Sequence, residues 1–377
     1  MMNRAEGVNE SGGAVESRGT CGTAEARKTE RRRARHFWIG TGVSVFFLAL
    51  LFRSMDFAKL LAALRAMDAR FLVPAVASKL LSYYVRAYRW KLLLAEEKNT
   101  SMGNLFAAVS IGYMANNLLP ARIGELVRVY VLGEREGIDK GTVFASLVLD
   151  RLFDGCAVLC ILMATLFTLR LPGESEGVRT ALVTGGYVTA AAYLAIVGFL
   201  VLLKRRTSAM IRLAGRLLKP FPPAFGAKVI PLLGSFIGGV RLSSRPGNLM
   251  GLVVSSAVTW ALAVWPIDLL LRSFGIALPV TASLFVMVLL VVAVMIPASP
   301  GYIGTYHYAC YQALTVFGVT GEKALGVALV IHAVNFFPIT FLGLFYLVRG
   351  RMTLSGLQKP TAGTRSEDKG ARNEERG

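Results

Sequence analysis

The chain has 377 residues, of which 54% are hydrophobic and 17% charged, and a formal net charge of +19. Its mean hydropathy is +0.54. Apolar runs this long and numerous exclude a water-soluble globular protein and point to an integral membrane protein.

The basic excess gathers between the apolar runs, where it reads as a topological signal and as an attraction to anionic lipid. No compact soluble domain is expected to hold a nucleic-acid groove, so nucleic acid is not an expected partner. Residues 1–35 are rich in Gly, Ser, Glu and Arg, lack periodicity and read as a disordered tail. The tail ends in the basic run Arg31 to His36. It is too long and too charged for a signal peptide, so the first apolar run is expected to anchor the chain with its N-terminus in the cytoplasm.

Full spans are expected at about 37–52, 71–95, 142–169, 180–203, 248–271 and 323–348. Between the first two, Met55 to Phe71 is amphipathic and suits the outer interface. Two further apolar segments, about 104–137 and 281–318, are each interrupted by proline and glycine. The breaks are Asn116 to Glu125, with Pro120 and Gly124, and Ile296 to Tyr308, with Pro297, Pro300, Gly301 and Gly304. Proline removes a backbone donor and glycine supports a helix poorly, so both centres should unwind. An unpaired backbone group in hydrocarbon costs several kcal/mol, so such a break persists only inside protein or beside a polar cavity.

Broken segments in two halves of a membrane chain point to a transport site; the alternative is two re-entrant packing loops with no ligand. The breaks share a loose phrase, Leu119-Pro120-Ala121 with Ile123-Gly124-Glu125 against Ile296-Pro297-Ala298 with Ile303-Gly304-Thr305. If each broken segment is a hairpin returning to its own side, 204–247 becomes cytoplasmic. That segment holds nine basic residues and no acidic one, as the positive-inside rule requires. The two hairpins then enter from opposite sides, as halves of an inverted repeat. The predicted fold class is thus an all-α polytopic membrane protein, with about six full spans, two re-entrant broken hairpins of opposite sidedness, and both termini in the cytoplasm. In 204–247, Met210, Leu213 and Leu217 have helical spacing, which suits interfacial helices or ordinary loop charge. Residues 351–377 read as a solvated tail.

Ionisable residues inside spans mark a site or a structural ion-pair network. Lys79, Ser82, Arg86 and Arg89 recur at spacings that share one helix face. Arg89 and Lys91 would also suit snorkelling at a helix end. Asp150 and Asp154 share a face, and Arg151 reaches Asp154 three residues on. Arg122, Glu125, Arg128 and Asp268 are further candidates. Cys156, Cys160 and Cys310 read as small buried hydrophobes; no metal site is expected.

Four motifs carry a family resemblance: Arg89-Trp90-Lys91-Leu92-Leu93; Asn116-Asn117-Leu118-Leu119-Pro120-Ala121-Arg122-Ile123-Gly124-Glu125; Asp150-Arg151-Leu152-Phe153-Asp154; and Pro297 through Thr305. In this order they resemble the flippase-like family typified by the membrane domain of lysylphosphatidylglycerol synthase, where Glu is commoner at the Asp150 position. The resemblance covers about 37–350 and implies a stand-alone lipid translocase without an aminoacyltransferase domain. Its implied substrate is an amphiphile such as a phospholipid, an aminoacyl-phospholipid, a polyprenyl carrier or a hopanoid.

The headgroup site expected on these grounds comprises Lys79, Arg86, Arg89, Asn116, Asn117, Arg122, Glu125, Arg128, Asp150, Arg151 and Asp154, with Pro300, Gly301, Gly304, Thr305 and His307 from the second break. Free N–H groups at the break helix ends would add to it, while the lipid chains stay in bulk lipid. No cofactor is expected, and no Walker A or HExxH sequence occurs. The other classes are a scaffold for a separate lipid-synthesis enzyme, docking through 204–247, and a membrane enzyme using His307 or His332.

Overall fold

The structure, a computed structural model, describes residues 41–350 apart from 54, 120–121, 169–175, 219, 221–222, 241–244 and 297–299. The expected tails, Pro120 and Pro297 lie outside the described residues. Thirteen α-helices are described, with no strand among the described residues. They are α1 (Thr41–Phe52), α2 (Phe57–Arg65), α3 (Leu72–Leu94), α4 (Met102–Leu118), α5 (Gly124–Glu136), α6 (Lys140–Thr168) and α7 (Glu176–Arg205). The chain continues through α8 (Thr207–Leu217), α9 (Pro223–Gly239), α10 (Pro246–Ser273), α11 (Val280–Met295), α12 (Thr305–Thr315) and α13 (Gly321–Arg349). Within α7, Val183–Arg205 is long and apolar enough to cross a membrane, as are α10 and α13. The chain is an all-α polytopic membrane protein.

Both breaks form for one physical reason. Leu119 leaves α4 in extended geometry (φ −104, ψ 144) and Ile296 leaves α11 likewise (φ −69, ψ 130). Each precedes a proline, whose ring disfavours the helical conformation of the residue before it. The chain then reverses through left-handed backbone. Among the described residues only Arg122 (φ 52) and Tyr302 (φ 58) combine positive φ with a side chain. Each stands two residues beyond a proline and two before a glycine, in Pro120-Ala121-Arg122-Ile123-Gly124 and Pro300-Gly301-Tyr302-Ile303-Gly304. The structural register therefore pairs Pro120 with Pro300; the looser match of Pro120 to Pro297 is corrected.

The hairpin α4–α5 closes because its glycines allow it. A Cβ on Gly124 would overlap Gly112 O and the Asn116 side chain, and one on Gly112 would overlap Arg128. Packing repeats between the halves. α3 lies on α10, α4 on α13 and α6 on α11; α4 pairs with α5 as α11 pairs with α12. Exchanging α3–α6 for α10–α13 returns the same set of neighbours. The two tips meet: Arg122 Nη1 donates to Val294 O (3.1 Å), its guanidinium lies 5.8 Å from the Tyr302 ring centroid, and Asn117 donates to Thr340 Oγ1 (2.9 Å).

Two expectations change. The 204–247 segment is not uniformly interfacial: α8 is amphipathic, but α9 packs on α6, where a Cβ on Gly239 would lie 2.7 Å from Thr142 Cα. Its apolar second half, Val229–Gly239, is drawn into the helical body by burial of residues such as Ile237. Among the described cysteines, Cys156 and Cys160 are exposed on α6 and Cys310 is buried, because α6 turns that face toward a cleft.

Candidate functional site: a buried ionic cluster

The densest polar structure in the bundle lies where α3, α5 and α6 converge. Arg89 is fully buried. Its Nε and Nη2 donate to Asp150 Oδ1 (2.9 and 2.6 Å), Nη2 also to Asp154 Oδ1 (2.8 Å), and Nη1 to Ser256 Oγ (3.1 Å). Arg86 pairs with Asp154. Arg151 pairs with Asp150 Oδ2 (2.9 Å), Asp154 Oδ2 (3.1 Å) and Glu125 Oε1 (3.7 Å). Arg128, 1% exposed, lies 3.4 Å from Glu125 and 3.8 Å from Asp150. Its guanidinium also sits 4.5 Å from the Trp90 ring centroid, a cation–π contact. Trp90 is held by donating to Ser146 Oγ (2.9 Å). Helical spacing puts Arg86 and Arg89 on one face of α3, and Asp150 and Asp154 on the facing side of α6.

Four guanidinium groups thus meet three carboxylates, leaving one positive charge in excess. The buried Arg86 Nε, Arg128 Nε and Nη2 and Arg151 Nε have no hydrogen-bond partner. Unpaired buried donors cost about 1–3 kcal/mol each, more when charged. Arg151 (36%) and Glu125 (29%) keep one side of the cluster open. The cluster carries a net positive charge inside an apolar bundle.

Other predicted residues lie nearby in different roles. Lys79 has no carboxylate at ion-pair distance among the described residues; it lies 5.5 Å from the Tyr83 ring centroid, two turns from Arg86. Arg122 is exposed at the meeting tips. Asn116 Oδ1 accepts from Gly124 N (2.8 Å), and Asn117 ties the tip to α13. One of the expected free amides at the start of α5 is therefore occupied, as is one at α12, where Gly304 N donates to His307 Nδ1 (3.3 Å). Pro300, Gly301, Gly304, Thr305 and His307 form the second tip and touch the cluster in none of their described contacts. Gly301 packs beside Asn117 O and Phe336, and Gly304 against Ser44. His307 Nε2 lies 2.9 Å from His332 Nδ1. Asp268 pairs with Arg272 (2.8 Å), away from the cluster.

Two corrections concern reach. Arg89 does not snorkel: it is the best-satisfied arginine of the cluster, because Asp150 and Asp154 lie directly across the helix interface. Sequence reasoning missed Ser256 and Trp260 of α10, whose Nε1 donates to Asp154 Oδ1 (3.2 Å). No charge marks them in the sequence. Among the described residues no group of three or more metal-ligating side chains gathers.

The fold and this cluster define a polytopic helical membrane protein with a buried charged centre beside paired broken hairpins. The chain belongs to the lysylphosphatidylglycerol synthase TM region family, whose model matches residues 37–343. It is similar to glycosyltransferase AglD of Haloferax volcanii, with 26% identity over 78% of this chain and 51% of that protein. The chain thus spans about half the length of AglD. It is also similar to a UPF0104 membrane protein of Methanothermobacter thermautotrophicus, with 24% identity over 74% of this chain and 86% of that protein. A further relative is the UPF0104 membrane protein MJ1595 of Methanocaldococcus jannaschii, 25% identical over 34% of this chain and 38% of that protein. No solved structure matches the chain significantly.

Proposed function

We propose that the chain moves the polar head of an anionic membrane lipid between leaflets of the cytoplasmic membrane, with both termini on the cytoplasmic side. The observation that carries this reading is the cationic excess of the buried cluster together with its unpaired guanidinium nitrogens. Intramembrane charge is costly, and a net positive, under-satisfied centre favours a phosphate that enters and leaves. The paired tips supply the second element. They sit where a re-entrant hairpin from each side would meet, and tied tips would separate the two openings. The positive 204–247 segment supports its cytoplasmic placement. In this reading Lys79 and Arg122 attract the head on either side of the cluster, and Glu125 and Arg151 form its open edge.

A second reading rests on the similarity to AglD, a protein named as a glycosyltransferase. Here the chain presents a lipid-linked substrate to a transferase, its own or a partner's, and the exposed basic face of α8 is the docking surface.

The test is headgroup movement in proteoliposomes carrying fluorescent phosphatidylglycerol, its lysyl form or a polyprenyl phosphate, read by outer-leaflet quenching. Acceleration by the wild-type chain, lost in Asp154→Asn with insertion intact, supports translocation. No acceleration for any lipid sinks it; loss of transferase coupling on changing Arg212 and Arg216 would favour the presenting role.

A further inference from the structure

Beside the ionic cluster lies a cleft of about 660 Å³ between α6, α10 and the start of α11. That volume is within the roughly 300–1,000 Å³ of small-molecule sites. Its walls include Phe153, Cys156 and Cys160 of α6 and Ser256, Trp260 and Trp265 of α10. Nearly everything it presents is carbon. Three of its polar groups are engaged within the protein: Ser256 accepts from Arg89, Trp260 donates to Asp154, and Asp268 pairs with Arg272; the Trp265 indole and the Cys156 and Cys160 thiols add little polarity. A sugar or peptide would find little to bond in it, whereas a hydrocarbon chain needs nothing more.

Two of those wall residues are also the contact with the cluster. Ser256 and Trp260 face the cleft and bond Arg89 and Asp154 respectively. The apolar slot and the cationic centre therefore share one wall, and a ligand occupying both must be amphiphilic and anionic. We propose that the cleft is a chain-binding slot for a lipid phosphate, holding one hydrocarbon chain against Trp260 and Trp265 while the phosphate engages the arginine cluster. The proposal rests on the lipid reading above and deepens it. The chain is bound in a protein slot instead of remaining in bulk lipid, and the lipid enters sideways between α6 and α10.

The exposed Trp265 provides the readout. The full chain is reconstituted in phosphatidylcholine vesicles with increasing fractions of chain-brominated phosphatidate or chain-brominated phosphatidylcholine, and tryptophan quenching is followed. One added charge-assisted hydrogen bond predicts half-quenching at about a tenfold lower fraction of phosphatidate, equivalent to about 1.4 kcal/mol. Trp265→Phe should remove most of the signal. Ala261→Phe, at an exposed position of the cleft, should abolish the preference while leaving the helix contacts intact. In parallel, phosphatidate should slow labelling of Cys156 and Cys160 by a lipid-soluble maleimide.

Equal quenching by the two lipids, or a preference that survives Ala261→Phe, overturns the slot. Unlabelled polyprenyl phosphate that relieves the quenching supports a slot serving any lipid phosphate. Headgroup movement without preferential quenching leaves the translocase and removes the slot. Preferential quenching without movement does the reverse.

Discussion

Replacing Arg89 by methionine should be among the most damaging single changes in the chain. Arg89 is fully buried and makes hydrogen bonds to Asp150, Asp154 and Ser256. Its loss leaves Asp150, also fully buried, with Arg151 at 2.9 Å and Arg128 at 3.8 Å. Removing one member of a buried pair costs about 3–5 kcal/mol when the partner is left unpaired; Arg151 and Arg128 stay beside Asp150, so the lower end of that range is expected. That is a large part of a total stability of about 5–15 kcal/mol.

Charge bookkeeping then predicts the double variant. Arg89→Met alone takes the cluster from four guanidinium groups and three carboxylates to three and three. Asp150→Leu alone leaves four and two. The double variant leaves three and two, restoring the single positive excess. Its cost should fall below the sum of the single costs by about 0.5–3 kcal/mol. The assay is detergent-induced unfolding in mixed micelles, followed by the midpoint for all four chains. A double variant as damaged as the sum of the singles would falsify the view that these charges compensate each other across α3 and α6.

Three further outcomes are expected. Gly124→Ala drives a methyl into Gly112 O and Asn116 and should cost about 1–3 kcal/mol by overpacking; wild-type thermal stability would show that the hairpin yields. Arg122→Cys with Tyr302→Cys, in a background lacking the native cysteines, should crosslink with a short bifunctional thiol reagent in native membranes, since the two residues stack at 5.8 Å; no crosslink in inserted protein would refute the meeting of the tips. Arg128→Gln should lower headgroup movement at least about tenfold, the loss of one charge-assisted bond, and more than Lys98→Gln, whose partner Glu136 lies at the far end of α5.

The helices were legible because membrane-length apolar runs and prolines are local signals. Spacing alone also put Asp150, Asp154, Arg86 and Arg89 on shared faces. It could not say that the α3 face meets the α6 face, which made Arg89 look like an end-of-helix snorkeller. Asn116, Asn117 and His307 looked like ligand groups because polar residues at a break have two uses: they bond either a substrate or the backbone amides that the break releases. The structure shows the backbone use at Gly124 and Gly304. Trp260 and Ser256 belong to the site through contacts 106 and 167 residues away in sequence, which no local pattern encodes. The α9 helix was hidden by its basic neighbours, whose charge outweighed an eleven-residue apolar run, Val229–Gly239.

The stacking of Arg122 on Tyr302 has a consequence for how such a chain can arise. Equivalent positions of two halves touch each other only near the line that relates them. In an assembly of two identical subunits, the residue at that line meets its own copy. Arginine would then oppose arginine, with like charges facing each other in a poorly hydrated place, or tyrosine would oppose tyrosine and the junction would carry no charge. Halves that differ in sequence, here joined in one polypeptide, can put a cation on one side and an aromatic ring on the other. Joining the halves in one chain thus permits a polarity at the junction that a symmetric pair of free copies is denied.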